Sequence, residues 1–495
     1  MDNGLSREIR GGQYRPLSAQ DIIKIHNASL EVLERAGIRC TNPEVLRTFR
    51  EAGAYIRGED RVCLSRWLIE SAIFKAPSRI RLCGRDPKHD LLLEGERVHA
   101  GTGGSALNVI DLDTGKRRPA LLADLARLAR LVDALDNIDF FMRPLSPSDV
   151  PREIVDLTKW YTAFQNTTKH VMGSAFFSGA VDKVLRIAEI IQGGKKKLRE
   201  RPILSFIVCW LRSPLTMTEP NTSILVELVK NRIPVVLSSA PMAGTTGPVT
   251  LAGTLVQMNA ELLSGIALAQ IVSPGCPVLY GAVPAAADLR TMSFASGAVE
   301  TALLNAAAAQ LAHHYEIPVY NTAGLTDSKV SDIQAGYEKV FGCVAAAMGG
   351  GNFIHDAAGM LESTLTVSYE QCVIDNEIIG MLKRMLRGID VSEDTMAVET
   401  ICSVGPDGHY VAEGHTLQHM RREFYYPRLS DRQSYDRWLA GGEKDARAKA
   451  NEIAREILRD HHPDPLPDRV IQKIHKEFGR ILRPYEKRMK GIFEE

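Results

Sequence analysis

A histidine and an aspartate stand side by side in the run GGGNFIHDAAG, at His355 and Asp356. An imidazole oriented by a carboxylate can donate a strong hydrogen bond to an anionic group, so this pair is the first candidate for chemistry. The competing reading is a structural histidine bonded to a loop carbonyl. If the pair serves a site, His355→Ala should cost efficiency and little stability. Asn321, in VYNTAGLTDSK, offers both a donor and an acceptor and is a second candidate, with plain core bonding as its alternative. Arg143 and Arg290 are the loop cations best placed to hold a carboxylate through two parallel bonds, unless they pair with Asp149 or Asp288. His415 and His419, in HTLQH, have the i,i+4 spacing of two zinc ligands on a helix, but no Glu-x-x-His or cysteine set accompanies them. No metal of the protein's own is expected.

These residues fall at recurring places along the chain. Eight short apolar segments begin near Val98, Ile138, Val171, Ile203, Val235, Val278, Ile317 and Asn352, at intervals of 32 to 43 residues. Between them lie stretches with helical periodicity, such as 121–135, 181–191 and 251–272. One strand, one helix and two loops take roughly 30–40 residues, so eight such units predict a (β/α)8 TIM barrel. Barrels of this kind carry their chemistry in the loops that follow the strands. Here the loops entering strands are short or charged, as in GGKKKLRERP and HHYEIP, whereas those leaving them are rich in Gly, Ala, Ser, Thr and Pro. Small residues let backbone approach a ligand closely. Gly101, Thr102, Gly103, Gly104, Gly244, Gly247, Ala323, Gly324, Asp327, Ser328 and Gly359 are therefore expected to line a site for a large, planar, mostly apolar guest. A small polyanion would need more cations than Arg143, Arg212, Arg290 and Lys329 supply.

Residues 1–95 read as a helical and strand addition, 96–388 as the barrel, and 389–495 as a mainly helical extension. In the first, LSAQDIIKIHNASLEVLERAG predicts a helix capped by Ser18 and closed at Gly37, and RWLIESAIFKAP a second that stops before Pro77. RIRLCGRDPKHDLLLEGERVHA alternates like paired strands. LNVIDLDTGKRRP reads as a hairpin turning at Asp113-Thr114-Gly115. Glu362, Tyr369, Glu370 and Asp375 follow strand eight and are most simply a solvated helix face, although the last three could reach the mouth. Sixty basic residues balance sixty acidic ones, which argues against nucleic acid or an anionic membrane surface as partner. Apolar runs such as 233–237 are too short to span a bilayer, and MDNGLSREIRGG has no secretory core. Eight cysteines are scattered without a C-x-x-C pair, and several lie in apolar patterns, as Cys209 does in ILSFIVCW, which reads as buried thiol in a reducing cytoplasm.

Four segments carry a family resemblance: RPLSPSDVP after strand two, NTAGLTDSKVSDIQAGYEK after strand seven, GGGNFIHDAAG around strand eight, and HTLQHMRREFYYPRLSDR near the C-terminus. Over nearly its whole length the chain resembles the trimethylamine:corrinoid methyltransferase family. The resemblance implies a barrel enzyme that moves a methyl group from an amine to the cobalt of cobalamin, a corrinoid supplied by a cognate partner protein. Trimethylamine enzymes of that family carry pyrrolysine, near the region of Asp327, Ser328 and Lys329; this sequence holds only ordinary residues and resembles the branch without it. In a displacement by Co(I) the leaving group departs with the C–N bonding pair. A neutral tertiary amine would leave as an amide anion, whereas a quaternary ammonium leaves as a neutral amine. The expected substrate is therefore a quaternary amine such as glycine betaine.

Quaternary ammonium groups favour aromatic faces. At strand exits those are Phe176, Phe177 and Trp210; adjacent residues on a strand face opposite ways, so at most one of the first two would line a pocket. In this setting His355 could donate to a betaine carboxylate or a corrinoid amide. The nearest match to the D-x-H-x-x-G motif of corrinoid proteins, Asp407 to Ala412, lacks the final glycine and reads as a turn. A non-catalytic corrinoid- or metabolite-binding barrel and a tetrapyrrole-handling barrel lyase are the rival readings, the second short of arginines for propionates. Homo-oligomerisation stays open.

Overall fold

Eight parallel strands close on themselves in chain order: β1 (His99–Thr102), β2 (Phe140–Met142), β3 (His170–Gly173), β4 (Leu204–Val208), β5 (Val235–Ser239), β6 (Val278–Ala282), β7 (Val319–Thr322) and β8 (Phe353–Ala358), which pairs with β1. The computed structural model describes residues 9–494, so the first eight residues of the N-terminal reading lie outside it. A helix follows each strand: α1 (Leu122–Ala134), α2 (Val155–Asn166), α3 (Ser178–Gln192), α4 (Asn221–Lys230), α5 (Leu251–Val272), α6 (Val299–His314), α7 (Ile333–Met348) and α8 (Tyr369–Leu386). The chain is a (β/α)8 barrel. Helix α5 is long and apolar enough to cross a membrane, which the sequence reading overlooked, but 78% of its most apolar window is buried inside the protein.

Strand alternation decides which side chains can meet a ligand. On β7 and β8, Tyr320 lies in register with Phe353 and Thr322 with His355, and these four face the barrel interior. Asn321 and Ile354 face the helices. The lower interior is filled with rings: Phe140 stacks on Phe353 with centroids 3.8 Å apart. Gly101 makes room for that stack, since a Cβ there would come within 2.5 Å of the Phe140 ring.

The N-terminal addition supplies the plug that closes the lower end. Ile80–Leu82 and Leu91–Leu93 form the antiparallel pair that the alternation predicts. Ile80, Leu82, Leu91 and Leu93 pack into one cluster with Phe140, Met172, Val236, Leu279, Tyr320 and Phe353 from inside the barrel. Burying each such side chain contributes about 1.5–3 kcal/mol. With this end sealed, a ligand reaches the interior from the ends of the strands.

The other local expectations are met in detail. Ser18 caps the helix Ala19–Arg35 through a reciprocal box with Asp21, and Gly37 leaves it at φ 68°. Asn108–Ile110 and Arg117–Pro119 form the predicted hairpin. Thr366–Ser368 then adds in parallel beside Asn108–Ile110, which ties the loop after β8 to the loop after β1. In the C-terminal extension, residues 407–412 are exposed turns. His415 and His419 both reach Asp394, through its backbone oxygen at 3.2 Å and its carboxylate at 3.2 Å.

Candidate active site

At the upper end of β8 the chain turns back on itself. Asp356 sits at φ 63°, in the left-handed region, where the register between β8 and β1 shifts. This conformation disfavours a residue with a Cβ, so the surrounding structure has to hold it in place. Its effect is to bring two adjacent side chains together, with His355 Nε2 2.9 Å from Asp356 Oδ2. His355 Nδ1 lies 2.8 Å from the Asn321 carbonyl, which can only accept, and the imidazole stacks on the Tyr320 ring at 4.1 Å. Thr322 Oγ1 donates to the same Asp356 oxygen at 2.9 Å.

The bonding leaves little of the pair open. Both ring nitrogens of His355 are engaged by oxygen atoms, Nδ1 by the Asn321 carbonyl and Nε2 by the Asp356 carboxylate. Burial works against the Asp356 charge, but the adjacent His355 and the Thr322 bond hold its carboxyl below the ordinary value. Its contribution to stability is thus present above the unfolded-state pKa and is lost as pH falls through the lower folded one. With both ring nitrogens committed, His355 has none left for a substrate carboxylate. That departs from the donor role expected from the sequence: the His355 ring is fixed in the barrel wall, and the atom of the pair left without a partner is Asp356 Oδ1.

Asn321 is corrected as well. It is fully buried and donates to the Asn305 carbonyl of α6 at 3.0 Å, outside the barrel interior, because strand alternation turns it toward the helices. Trp210 is fully buried against α5, where a Cβ on Gly265 would meet its ring at 2.5 Å, so it presents no face to the mouth. Arg290 is exposed and pairs with Asp288 at 2.8 Å, the ion-pair alternative. Phe176 and Phe177 lie just before α3, not on a strand, and both rings are half-exposed, so the alternation argument does not apply to them.

The small-residue rim is mostly internal packing. Gly101, Thr102, Gly103, Ala323, Gly324, Ser328 and Gly359 are buried, and Gly104, Gly244, Gly247 and Asp327 are partly exposed. A Cβ on Gly103 would overlap Asp356 Oδ1, and one on Gly359 would lie 2.5 Å from Cys372 Sγ. Asp327 ties three loops together, accepting from Ser296 Oγ at 2.7 Å, Gly297 N at 3.2 Å and Ser363 Oγ at 2.6 Å. Ser328 Oγ donates to the Val330 carbonyl at 2.9 Å. Below these loops the buried Lys339 ammonium lies 3.2 Å from Asp375, which also accepts from Gly359 N at 2.7 Å. Tyr369, Glu370 and Asp375 are therefore buried structural groups, not a solvated helix face.

One expectation is overturned and one feature escaped the sequence reading: the thiol expected to be buried at Cys209 is exposed. Cys209, at the exit of β4, is accessible, although protein crowds it closely enough for burial to push its thiol pKa up. Its sulfur is bonded to Ser238 and lies within electrostatic reach of Tyr320. We expect N-ethylmaleimide to inactivate the wild-type protein slowly at neutral pH and to leave a Cys209→Ser variant active; equal inactivation of both would place the sensitive thiol elsewhere. The feature that escaped is a set of buried charges on α2. Lys159 is about 1% exposed and Asp156 about 2%, and they surround Arg143, whose guanidinium turns outward onto the Trp160 ring at 4.1 Å. The helix VDLTKWYTAFQN is buried on nearly every face, and a lysine in so apolar a setting was the available signal.

Comparisons with known proteins agree with this architecture. The family described as trimethylamine methyltransferase (MTTB) matches residues 3–480. The chain is 37% identical to trimethylamine methyltransferase MttB of Desulfitobacterium hafniense (strain DSM 10664 / DCB-2) over 484 residues, covering 96% of this chain and 97% of that protein. It is 36% identical to a glycine betaine methyltransferase of Desulfitobacterium hafniense (strain Y51), covering 93% and 96%. It is 34% identical to trimethylamine methyltransferase MttB of Methanosarcina barkeri, covering 98% of each. A match of this length, on a closed parallel barrel with its lower end plugged, places the chain in the trimethylamine methyltransferase family.

Proposed function

We propose that the protein transfers a methyl group from a quaternary amine, glycine betaine or a close relative, to the Co(I) of a corrinoid carried by a partner protein. The observation that carries this reading is that three ionisable groups at the upper strand ends, on β8 and beside β7 and β5, are already engaged. His355 uses both ring nitrogens internally. Asp327 accepts three hydrogen bonds from the two neighbouring loops. Glu261, beside the end of β5, accepts from Ser239 Oγ at 2.6 Å, Ser213 Oγ at 2.7 Å and Leu215 N at 3.0 Å. None of these groups is free to turn a neutral amine into a leaving group. A quaternary ammonium needs no such help, because it departs as a neutral amine.

The sequence contains no pyrrolysine, and one of its close relatives is named for glycine betaine. When bound at the mouth, the corrinoid supplies the nucleophile that accepts the methyl group. The protein's share is to orient the substrate and exclude water, since attack on N⁺–CH₃ reduces charge separation and is favoured in a dry, preorganised site. Exposed residues at the strand exits, Phe176, Phe177, Cys209 and Ala240, leave the mouth open for a partner's corrinoid. The cysteines are free thiols, six of the eight buried, which suits the cytoplasm.

Incubating the protein with Co(I)-cobalamin and a panel of methylated amines, while following the cobalt absorbance, tests this reading. Glycine betaine or another quaternary amine should consume Co(I), and trimethylamine should not. Turnover of trimethylamine at a comparable rate would overturn it.

A further inference from the structure

Between the end of β2 and helix α2 the protein buries two cations and a carboxylate without letting them pair. Arg143 donates from Nη2 to the Ser174 carbonyl at 2.6 Å, but its Nε and Nη1 have no partner. Trp160, beneath the guanidinium, has an unpartnered Nε1. Asp156 accepts from Phe176 N through Oδ2 at 2.7 Å, and its Oδ1 is unpartnered. Among the described residues the Lys159 ammonium makes no hydrogen bond, and it lies 5.8 Å from the centre of the Phe176 ring.

Leaving such groups unpaired in the interior is costly, which points to a ligand or water from outside the polypeptide as their partner. The deficit has a definite character. The open valences are almost all donors, on Arg143, Lys159 and Trp160, against one acceptor oxygen of Asp156. Two cations face one carboxylate, so the set carries a net positive charge. Water could satisfy the donors but would leave that charge uncompensated. A carboxylate supplies both acceptors and charge. Burial, with Arg143 beside it, lowers the Lys159 pKa to about 7, the behaviour of an ammonium that lacks its counter-ion. Phe176 covers the set from the rim, and its ring is 41% exposed.

We propose that Arg143, Lys159 and Trp160 form a carboxylate-binding recess that takes the carboxylate end of the substrate, with the substituted ammonium end against the face of Phe176. This rests on the quaternary-amine reading above and deepens it: the substrate is a zwitterion whose opposite charges are separated by one or two carbons, with Lys159 and the Phe176 ring as near neighbours 5.8 Å apart. Lys159 and Arg143 then determine specificity, separating betaines from quaternary amines that have no carboxylate.

Calorimetric titration without cobalamin tests the recess directly, using glycine betaine, tetramethylammonium and acetate on the wild-type protein, Lys159→Met and Lys159→Arg. The wild type should bind glycine betaine at least tenfold more tightly than tetramethylammonium. Lys159→Met should weaken glycine betaine at least tenfold and leave tetramethylammonium within about twofold, and Lys159→Arg should recover part of the loss. Because it removes an unpartnered buried charge, Lys159→Met should also melt no lower than the wild type without ligand. Equal effects on both amines, or none on either, would overturn the proposal. If glycine betaine fails to bind while acetate raises the melting temperature of the wild type and not of Lys159→Met, the recess takes a free carboxylate and the substrate assignment is wrong. If neither ligand acts through Lys159, the set holds water only and the recess itself is rejected, whatever the amine panel shows.

Discussion

His355→Ala should lower the unfolding free energy by about 3–5 kcal/mol, the usual cost of removing one partner of a buried ion pair. Both side chains of the pair are only 6% exposed, so the Asp356 carboxylate left behind cannot find water in place of the imidazole. The stack on Tyr320 and the bond to the Asn321 carbonyl would be lost as well. Asp356→Asn should be milder, because an amide can still receive the Thr322 hydroxyl and carries no stranded charge. The double variant His355→Ala/Asp356→Asn should recover part of the His355→Ala loss, giving a coupling energy of opposite sign to the single effects. Denaturant midpoints at neutral pH measure all three. Retention of wild-type stability by His355→Ala would mean that the pair is free to serve a ligand, as its position in the sequence first suggests.

Lys339→Met should be as severe, again about 3–5 kcal/mol. Lys339 and Asp375 are both fully buried. The ammonium also donates to the carbonyls of Gly324 and, at 3.1 Å, Met360, in the loops that follow β7 and β8. Removing it strands a carboxylate and two carbonyls at the base of the mouth. Burial already drives the Asp375 pKa upward, against the pull of Lys339. In the variant that carboxyl should take up a proton at higher pH, so stability should fall as pH rises through its raised folded-state value. Unfolding measured at pH 5 and at pH 8 should therefore show a larger deficit at pH 8. A deficit independent of pH would assign the loss to packing alone.

The barrel was legible because its signal is repeated eight times: strand starts predicted at Val98, Val171 and Val235 fall on or within a residue of β1, β3 and β5. The plug at 80–93 was legible as alternation, but its destination inside the barrel was not, since that depends on contacts with strands far along the chain. The site was harder. Composition identified the loops correctly as the small-residue end, but whether a glycine faces ligand or a neighbouring loop is set by tertiary packing, and most here face loops. Asn321 was singled out by residue type, and strand alternation turned it toward the helices. Asp356 needed a backbone twist at a register shift, which no spacing rule anticipates. Lys159 and Asp156 acquire meaning only through the Arg143 beside them.

The claim that this barrel demethylates a quaternary amine at cobalt is tested most directly by following the methyl group itself. Glycine betaine carrying one deuterated methyl group is incubated with the protein and Co(I)-cobalamin, and both products are weighed by mass spectrometry. The account predicts dimethylglycine and methylcobalamin in equal amounts, with about one third of the methylcobalamin carrying the label, because the three methyl groups are chemically equivalent. Unlabelled methylcobalamin only, or no methylcobalamin from any quaternary amine while trimethylamine yields it, would contradict the account.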